Sequence, residues 1–324
     1  MEKILLIGGA GYVGTELVDI LIDEFKVTVF DLFLYGDNIP DHKNLIKIKG
    51  DVRDEKHLSK VLKEQDYIIH LACISNDPSF DLDPLLGKSI NYDPFEPLVK
   101  LSKENGVKRF VYASSSSVYG IKSEKNVDEN CSLEPITDYS KYKAKCEEIL
   151  LKYTDNNFLG TVIRPATVCG YSKRQRLDLV VNILTNLAFN KGEILVFGGA
   201  QLRPNINIKD MCRVYYDVIK SDKENIKGEI FNVGFENYSV QKLANIVSEN
   251  INKKISIKYV PTNDNRSYHI SSKKVTNTMG FKTNFTIEDA VIELRKAFEE
   301  NKLKDPLNNE MYFNIKRMKS INLK

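Results

Sequence analysis

Two short patterns carry most of the chemistry that the residue types allow. The first is Gly8-Gly9-Ala10-Gly11-Tyr12-Val13-Gly14, a G-x-x-G-x-x-G run that follows an apolar segment and opens a helical one. Glycines at Gly8, Gly11 and Gly14 let the backbone turn tightly and approach a pyrophosphate. The charge is met there by free N–H groups and the positive end of the helix that Tyr12 and Val13 begin. Asp31 ends the second apolar run, about 20 residues beyond the central glycine, where a carboxylate accepts hydrogen bonds from both hydroxyls of an adenosine ribose. It would repel a 2′-phosphate, and Leu32 and Phe33 supply no cation to receive one. The dinucleotide expected is therefore NAD rather than NADP. Asp51, with Val52 after the third run, places an acid within reach of the adenine amino group.

The second pattern is Tyr139-Ser140-Lys141-Tyr142-Lys143, preceded by the serine-rich Ala113-Ser114-Ser115-Ser116-Ser117-Val118-Tyr119-Gly120. The i, i+4 spacing sets Tyr139 and Lys143 on one helical face. An ammonium about 4 Å from a phenol, at an effective dielectric near 20, favours the phenolate by about 4 kcal/mol. That is roughly three pKa units, enough to bring a tyrosine towards neutrality. Tyr139 is then a candidate general base, with Ser115 to hold the reacting oxygen.

These residues need a scaffold, and the hydrophobic rhythm supplies one. Lys3–Ile7, Lys26–Phe30, Leu45–Lys49, Tyr67–Leu71, Arg109–Ala113 and Leu159–Ile163 read as strands, several of them apolar on both faces. Helical segments near 13–22, 55–63, 97–104 and 140–152 alternate with them, which is the rhythm of a doubly wound parallel sheet. The fold expected is α/β: a Rossmann-type NAD-binding domain over 1–170 and a smaller C-terminal α/β substrate lobe over 171–324, with strands of the second part free to return to the first sheet. The polar, basic tail beyond Pro306 reads as surface or loosely held chain.

Composition narrows the partners. A net charge of only +3 over 324 residues provides no long-range field for nucleic acid or a membrane surface. Five scattered cysteines without a C-x-x-C pair match neither a disulfide framework nor a metal site, so no metal is expected and a reducing, cytoplasmic setting is. No apolar run is long enough to span a bilayer, and no signal-peptide pattern opens the chain.

Together these motifs resemble the extended short-chain dehydrogenase/reductases, specifically their nucleotide-sugar epimerases and dehydratases. The resemblance runs through the glycine turn, Asp31, Asp51-Val52, His70-Leu71-Ala72, Asn91, Val118-Tyr119-Gly120, Tyr139 with Lys143, Arg164 to Val168, and Arg203 to Asp210. It implies oxidation of a sugar hydroxyl, usually at C4, with Tyr139 as base, Lys143 tuning it and binding the nicotinamide ribose, and Ser115 orienting the oxygen. Leu71, Ala72, Ser114 and Pro165 are implied as further cofactor contacts. Relatives commonly dimerise through a four-helix bundle, so a homodimer built on the Tyr139 helix and the 97–104 helix is implied as well.

Departures from the family pattern refine this. Ile7 stands where a threonine is usual, and Cys169 where a tyrosine is. Ser116 and Ser117 occupy the positions of the acid pair with which 4,6-dehydratases eliminate water, and Ser117 that of the cysteine used by epimerase-reductases. Simple C4 redox chemistry survives. A nucleotide sugar brings a second pyrophosphate, which a nearly neutral protein must meet with local cations. Arg203 matches the family arginine at that position, Arg266 sits where a second is often supplied, and Arg176 within Arg174-Gln175-Arg176-Leu177-Asp178 is a further candidate. Ser75 and Asn76, with Ser115 and Ser116, are candidate sugar contacts. Ser75-Asn76-Asp77-Pro78, the Tyr139 to Lys143 run and Leu202-Arg203-Pro204-Asn205 look most like the dehydrogenases that oxidise C4 of a GDP-linked manno-heptose for capsule synthesis. The expectation is accordingly a 4-dehydrogenase of a GDP-sugar, the alternatives being a 4-epimerase and a non-catalytic NAD-binding regulator.

Overall fold

In the computed structural model, residues 1–124, 126–262, 267 and 269–324 are described. Strand β1 (Lys3–Ile7) has Ile4 through Ile7 fully buried, as a strand covered on both faces must be. It is followed by α1 (Tyr12–Leu21), β2 (Lys26–Asp31), β3 (Leu45–Lys49), α2 (Glu55–Val61) and β4 (Tyr67–His70). Next come α3 (Asp77–Phe80), α4 (Pro84–Asn91), α5 (Phe95–Glu104), β5 (Arg109–Ala113), α6 (Asp138–Tyr153), β6 (Leu159–Pro165) and β7 (Thr167–Cys169). The second half holds α7 (Val180–Lys191), β8 (Glu193–Phe197), β9 (Leu202–Asn207), α8 (Ile208–Lys220), β10 (Ile230–Val233) and β11 (Glu236–Ser239). The chain closes with α9 (Val240–Asn250), β12 (Ser256–Val260), α10 (Lys273–Met279), α11 (Ile287–Glu299) and α12 (Asn314–Ser320).

Seven parallel strands form the main sheet in the order β10-β6-β5-β4-β1-β2-β3. The chain winds outward from β1 in one direction through β2 and β3, and in the other through β4, β5 and β6. The crevice at the carboxyl ends of β1 and β4 is therefore the topological switch point, where doubly wound sheets take their ligands. One helical layer is made by α1 and α8, and the other by α2, α5 and α6. β10 and α8 both come from beyond residue 170, so the second half contributes a strand to the main sheet and a helix to the α1 layer.

A separate apolar cluster holds the lobe, with α7, α9 and α11 packed around Leu184, Val196, Leu243, Val247 and Val291. Its strands form β11-β9-β7 and the parallel pair β12-β8.

The tail departs from the expectation of loosely held chain. α12 buries Asn314 and Met318, and Arg317 donates from Nε to the Leu34 carbonyl at 2.7 Å. Its polar side chains are spent on partners far away in sequence, so composition alone made the segment look solvated. None of the helices among the described residues is long and apolar enough to cross a membrane.

Candidate active site

The β1–α1 turn is shaped by backbone room. Gly8 has φ +84°, and a Cβ there would stand 2.4 Å from the Ala72 nitrogen; one on Gly14 would stand 2.5 Å from the Gly9 oxygen. Gly11 caps α1 without a side-chain hydrogen bond, so the first turn keeps its N–H groups for something else. The Asp31 carboxylate accepts from the Ala10 N–H (3.0 Å) and the Phe33 N–H (2.7 Å), which ties β2 to the turn. Burial raises its pKa nonetheless, with these two bonds opposing the rise.

The turn lines a cavity of about 510 Å³. Gly8, Gly11, Tyr12, Val13, Gly14, Asp31, Val52, Leu71, Ala72, Ser114 and Pro165 share its wall with Ser75, Asn76, Ser115, Ser116, Tyr139, Lys143, Arg176 and Arg203. Asp51 is the exception. Gly50 and Val52 face the cavity, whereas the Asp51 carboxylate turns to Arg53, 2.7 Å away, whose Nη2 also reaches the Lys324 carbonyl. That acid is paired with a cation two residues along the chain. Burial acts to raise the Asp51 carboxyl, but the Arg53 hydrogen bonds prevail and hold it below the ordinary value.

α6 presents the reacting groups. It begins in a capping box of Thr137 with Ser140, and the Thr137 hydroxyl also donates to Asp77 Oδ1 at 2.6 Å, fixing the helix start against α3. Tyr139 lies in the first turn and Lys143 one turn on. The Lys143 ammonium donates to the Ala113 carbonyl at the end of β5 (2.6 Å) and stands 4.9 Å from the Tyr112 ring centre and 5.8 Å from that of Tyr139. The expected dominance of this ammonium over the phenol is corrected. Burial governs Tyr139 and drives its pKa well above 10, Cys73 and Asp77 add to the rise, and Ser115 and Arg176 oppose it. The Lys143 ammonium is held instead by a carbonyl that the residue spacing does not reveal.

Ser115 caps the 3-10 turn Ser116–Tyr119, its hydroxyl 2.9 Å from that of Ser117. The adjacent Ser114 hydroxyl donates to Glu147, which is paired with Arg164 at 2.6 Å in full burial. Arg164 also donates to the Tyr119 hydroxyl (2.7 Å), and that hydroxyl donates to Asn232 Oδ1 on β10 (2.8 Å). The serine-rich strand end is thereby anchored from α6, β6 and β10 together.

The candidate sugar contacts are scattered over three loops. Ser75 Oγ accepts from Arg176 Nη1 (2.9 Å) and Asn314 Nδ2 (3.0 Å). Asn76, at φ +75°, uses its Oδ1 to cap α3 through the Ser79 N–H, so that oxygen serves the loop rather than a ligand. Ser116 is buried in the wall, and Arg203 reaches it from β9. Arg266 lies outside the described residues. Sequence reasoning missed Tyr35, Asp178, Asn314 and Met318, which also line the cavity. Only Asp178, beside two arginines, carried a local signal. The five cysteines are free, and burial pushes the thiols of Cys169 and Cys146 up, the latter to about 12, so neither is a nucleophile.

Residues 4–234 match the model described as the NAD dependent epimerase/dehydratase family. The chain is 26% identical over 251 residues to a UDP-glucose 4-epimerase of Lactobacillus helveticus, covering 72% of this chain and 76% of that one. It is 23% identical over 329 aligned positions to a dTDP-glucose 4,6-dehydratase of Streptomyces niveus, covering 93% and 94%. The solved structure of a UDP-N-acetylglucosamine 4-epimerase from Methanobrevibacter ruminantium M1, in complex with UDP-N-acetylmuramic acid, superposes with a TM-score of 0.84 at 27% identity, over 93% of this chain and 99% of that one. By name these relatives handle UDP- and dTDP-linked sugars, not the GDP-linked heptose that three short stretches suggested. Two of those stretches do local work here, Ser75 to Pro78 as a capped loop and Leu202 to Asn205 as a strand, which is weak ground for a sugar's identity.

Proposed function

Because the chain belongs to the NAD dependent epimerase/dehydratase family, and is an enzyme of that NAD-using family, we propose that it is a nucleotide-sugar 4-epimerase. The residues fit the cofactor: the turn leaves no room for a Cβ at Gly8 or Gly14, α1 begins uncapped, and Asp31 closes the adenosine end. NAD bound there would supply a reversible hydride acceptor.

The observation that carries the reading is the meeting of Tyr139, Lys143 and Ser115 in the same cavity as the glycine turn, with Ser116 and Ser117 where dehydration would need acids. Tyr139 takes the C4 hydroxyl proton as the C4–H leaves as hydride, and Ser115 holds the oxygen through the change. With hydride returned to the other face of the resulting ketone, Tyr139 would hand the proton back to the C4 oxygen, inverting C4 with no net oxidation. Tyr139 needs positive charge nearby to release its proton, and Arg176 already acts in that direction. Ser116 and Ser117 supply no carboxylic acid to protonate a departing C6 hydroxyl. The relatives named UDP-sugar 4-epimerases support this reading over net oxidation of a GDP-sugar.

The test is to incubate the purified enzyme with UDP-glucose, UDP-N-acetylglucosamine and GDP-mannose and follow the products by NMR. A C4 epimer is expected from a UDP-sugar, and Tyr139→Phe should lower turnover by about 10²- to 10⁴-fold while NAD stays bound. A 4-keto product accompanied by equimolar NADH, or near-normal turnover in Tyr139→Phe, would overturn it.

A further inference from the structure

Arg174 and Arg176 are only 3% and 7% exposed, yet each leaves a guanidinium nitrogen without a partner, Nε of Arg174 and Nη2 of Arg176. Buried cations with open N–H groups call for an anion. Arg176 donates to Asp178 Oδ1 (2.8 Å) and to Ser75 Oγ (2.9 Å). Arg174 donates to Asn314 Oδ1 (2.7 Å) and stacks 3.5 Å above the Tyr35 ring centre, with no ion pair among the described residues. Asn314 completes the ring, donating from Nδ2 to Ser75 Oγ (3.0 Å) and from its backbone N–H to Asp178 Oδ2 (2.9 Å). The loop after β4, the loop before α7 and the start of α12 are thus closed into one clasp on the cavity wall.

The clasp stands over the dinucleotide turn. Ser75 follows shortly after Ala72, the residue against which Gly8 is pressed, and Tyr35 follows shortly after Asp31. Asn182 Nδ2 donates both to the Arg176 carbonyl (2.9 Å) and to the hydroxyl of Tyr12, the first residue of α1 (3.0 Å). One arginine is therefore tied to the uncapped helix start and the other to the ribose end of β2, two cations on one short segment flanking the span a dinucleotide diphosphate must cross. Arg203, on β9, takes no part in this network.

We propose that Arg174 and Arg176, fixed by Asn314, hold the diphosphate of NAD and not that of the sugar nucleotide. This withdraws Arg176 from the sugar-nucleotide contacts and leaves that role to Arg203. The assignment rests on NAD binding and not on the return of hydride, so its failure leaves the epimerase reading untouched, and the converse holds.

Calorimetric titration of cofactor-stripped enzyme with NAD⁺, and separately with whichever of UDP, dTDP and GDP the wild type binds, decides it. Arg174→Gln and Arg176→Gln should each weaken NAD⁺ at least tenfold and change the nucleoside diphosphate less than threefold. Arg203→Gln should do the reverse, and Asn314→Ala should weaken NAD⁺ by a smaller factor. Should a Gln variant fail to fold, Arg176→Lys keeps the charge without the fork, and NAD⁺ affinity should fall while nucleoside diphosphate affinity holds. An arginine variant whose NAD⁺ affinity stays within threefold of wild type, or whose nucleoside diphosphate affinity falls as much as its NAD⁺ affinity, overturns the proposal.

Discussion

His70 ends β4 inside a box of rings, with centroids of Phe95, Tyr112 and Phe110 at 5.6, 5.9 and 6.2 Å, and its Nδ1 has no partner. Burial pushes its pKa down to about 3, and the Lys143 cation adds to the fall. The folded imidazole is neutral, whereas the unfolded one takes a proton near pH 6.5. Stability is then complete above pH 6.5 and lost as pH falls towards 3, by at most about 1.4 kcal/mol per pH unit. Between pH 6.5 and 5 the loss from this one group is about 2 kcal/mol. His70→Phe, which suits the aromatic box and abandons no hydrogen bond of Nδ1, should flatten that part of the slope in urea unfolding. Identical pH dependence in variant and wild type would show that His70 is not the neutral buried group. At this scale the placement of the candidate residues was largely legible, since Tyr139, Lys143, Ser115 and Asp31 all reach the cavity. What spacing could not show is the company each keeps: Lys143 bound to the Ala113 carbonyl, Asp51 claimed by Arg53, and Asn314 bridging groups more than a hundred residues away.

The β1–α1 turn is the element on which the cofactor depends, and its tolerance is narrow. Gly8 combines φ +84° with a Cβ position 2.4 Å from backbone, so Gly8→Ala has to move the Leu71-Ala72 loop as well as adopt a left-handed residue. The conformational part alone costs about 1–2 kcal/mol. The expected outcome is a modestly lower urea midpoint together with loss of most bound NAD, read from the nucleotide released on acid denaturation. Full NAD content in Gly8→Ala would mean that the turn does not set the cofactor's position. Elements of this kind were legible because a strand apolar on both faces, a glycine turn and an amphipathic helix each leave a periodic trace. β10, four residues long, and α12, held chiefly by polar bonds and a buried Met318, leave none. Their places follow from where β6 and the clasp are already built, which no local pattern encodes.

The whole molecule places the cavity between a seven-stranded sheet and a lobe whose strand β9 and loop before α7 both reach it, and α12 adds Asn314 and Met318 to its wall. Whether that cavity stays closed through a turnover decides the fate of hydride. If the sugar's hydride leaves and returns within one closed cavity, a substrate deuterated at C4 should yield its epimer with the label still on C4, even when a large excess of unlabelled NADH is present. Release of reduced cofactor would instead wash the label out and dilute it in proportion to the added NADH. Mass spectrometry of the product at partial conversion separates the two. Retention above about nine-tenths at every NADH concentration is the outcome that a fully closed cycle predicts. Progressive loss of label would show that reduced cofactor leaves the cavity before the hydride is returned.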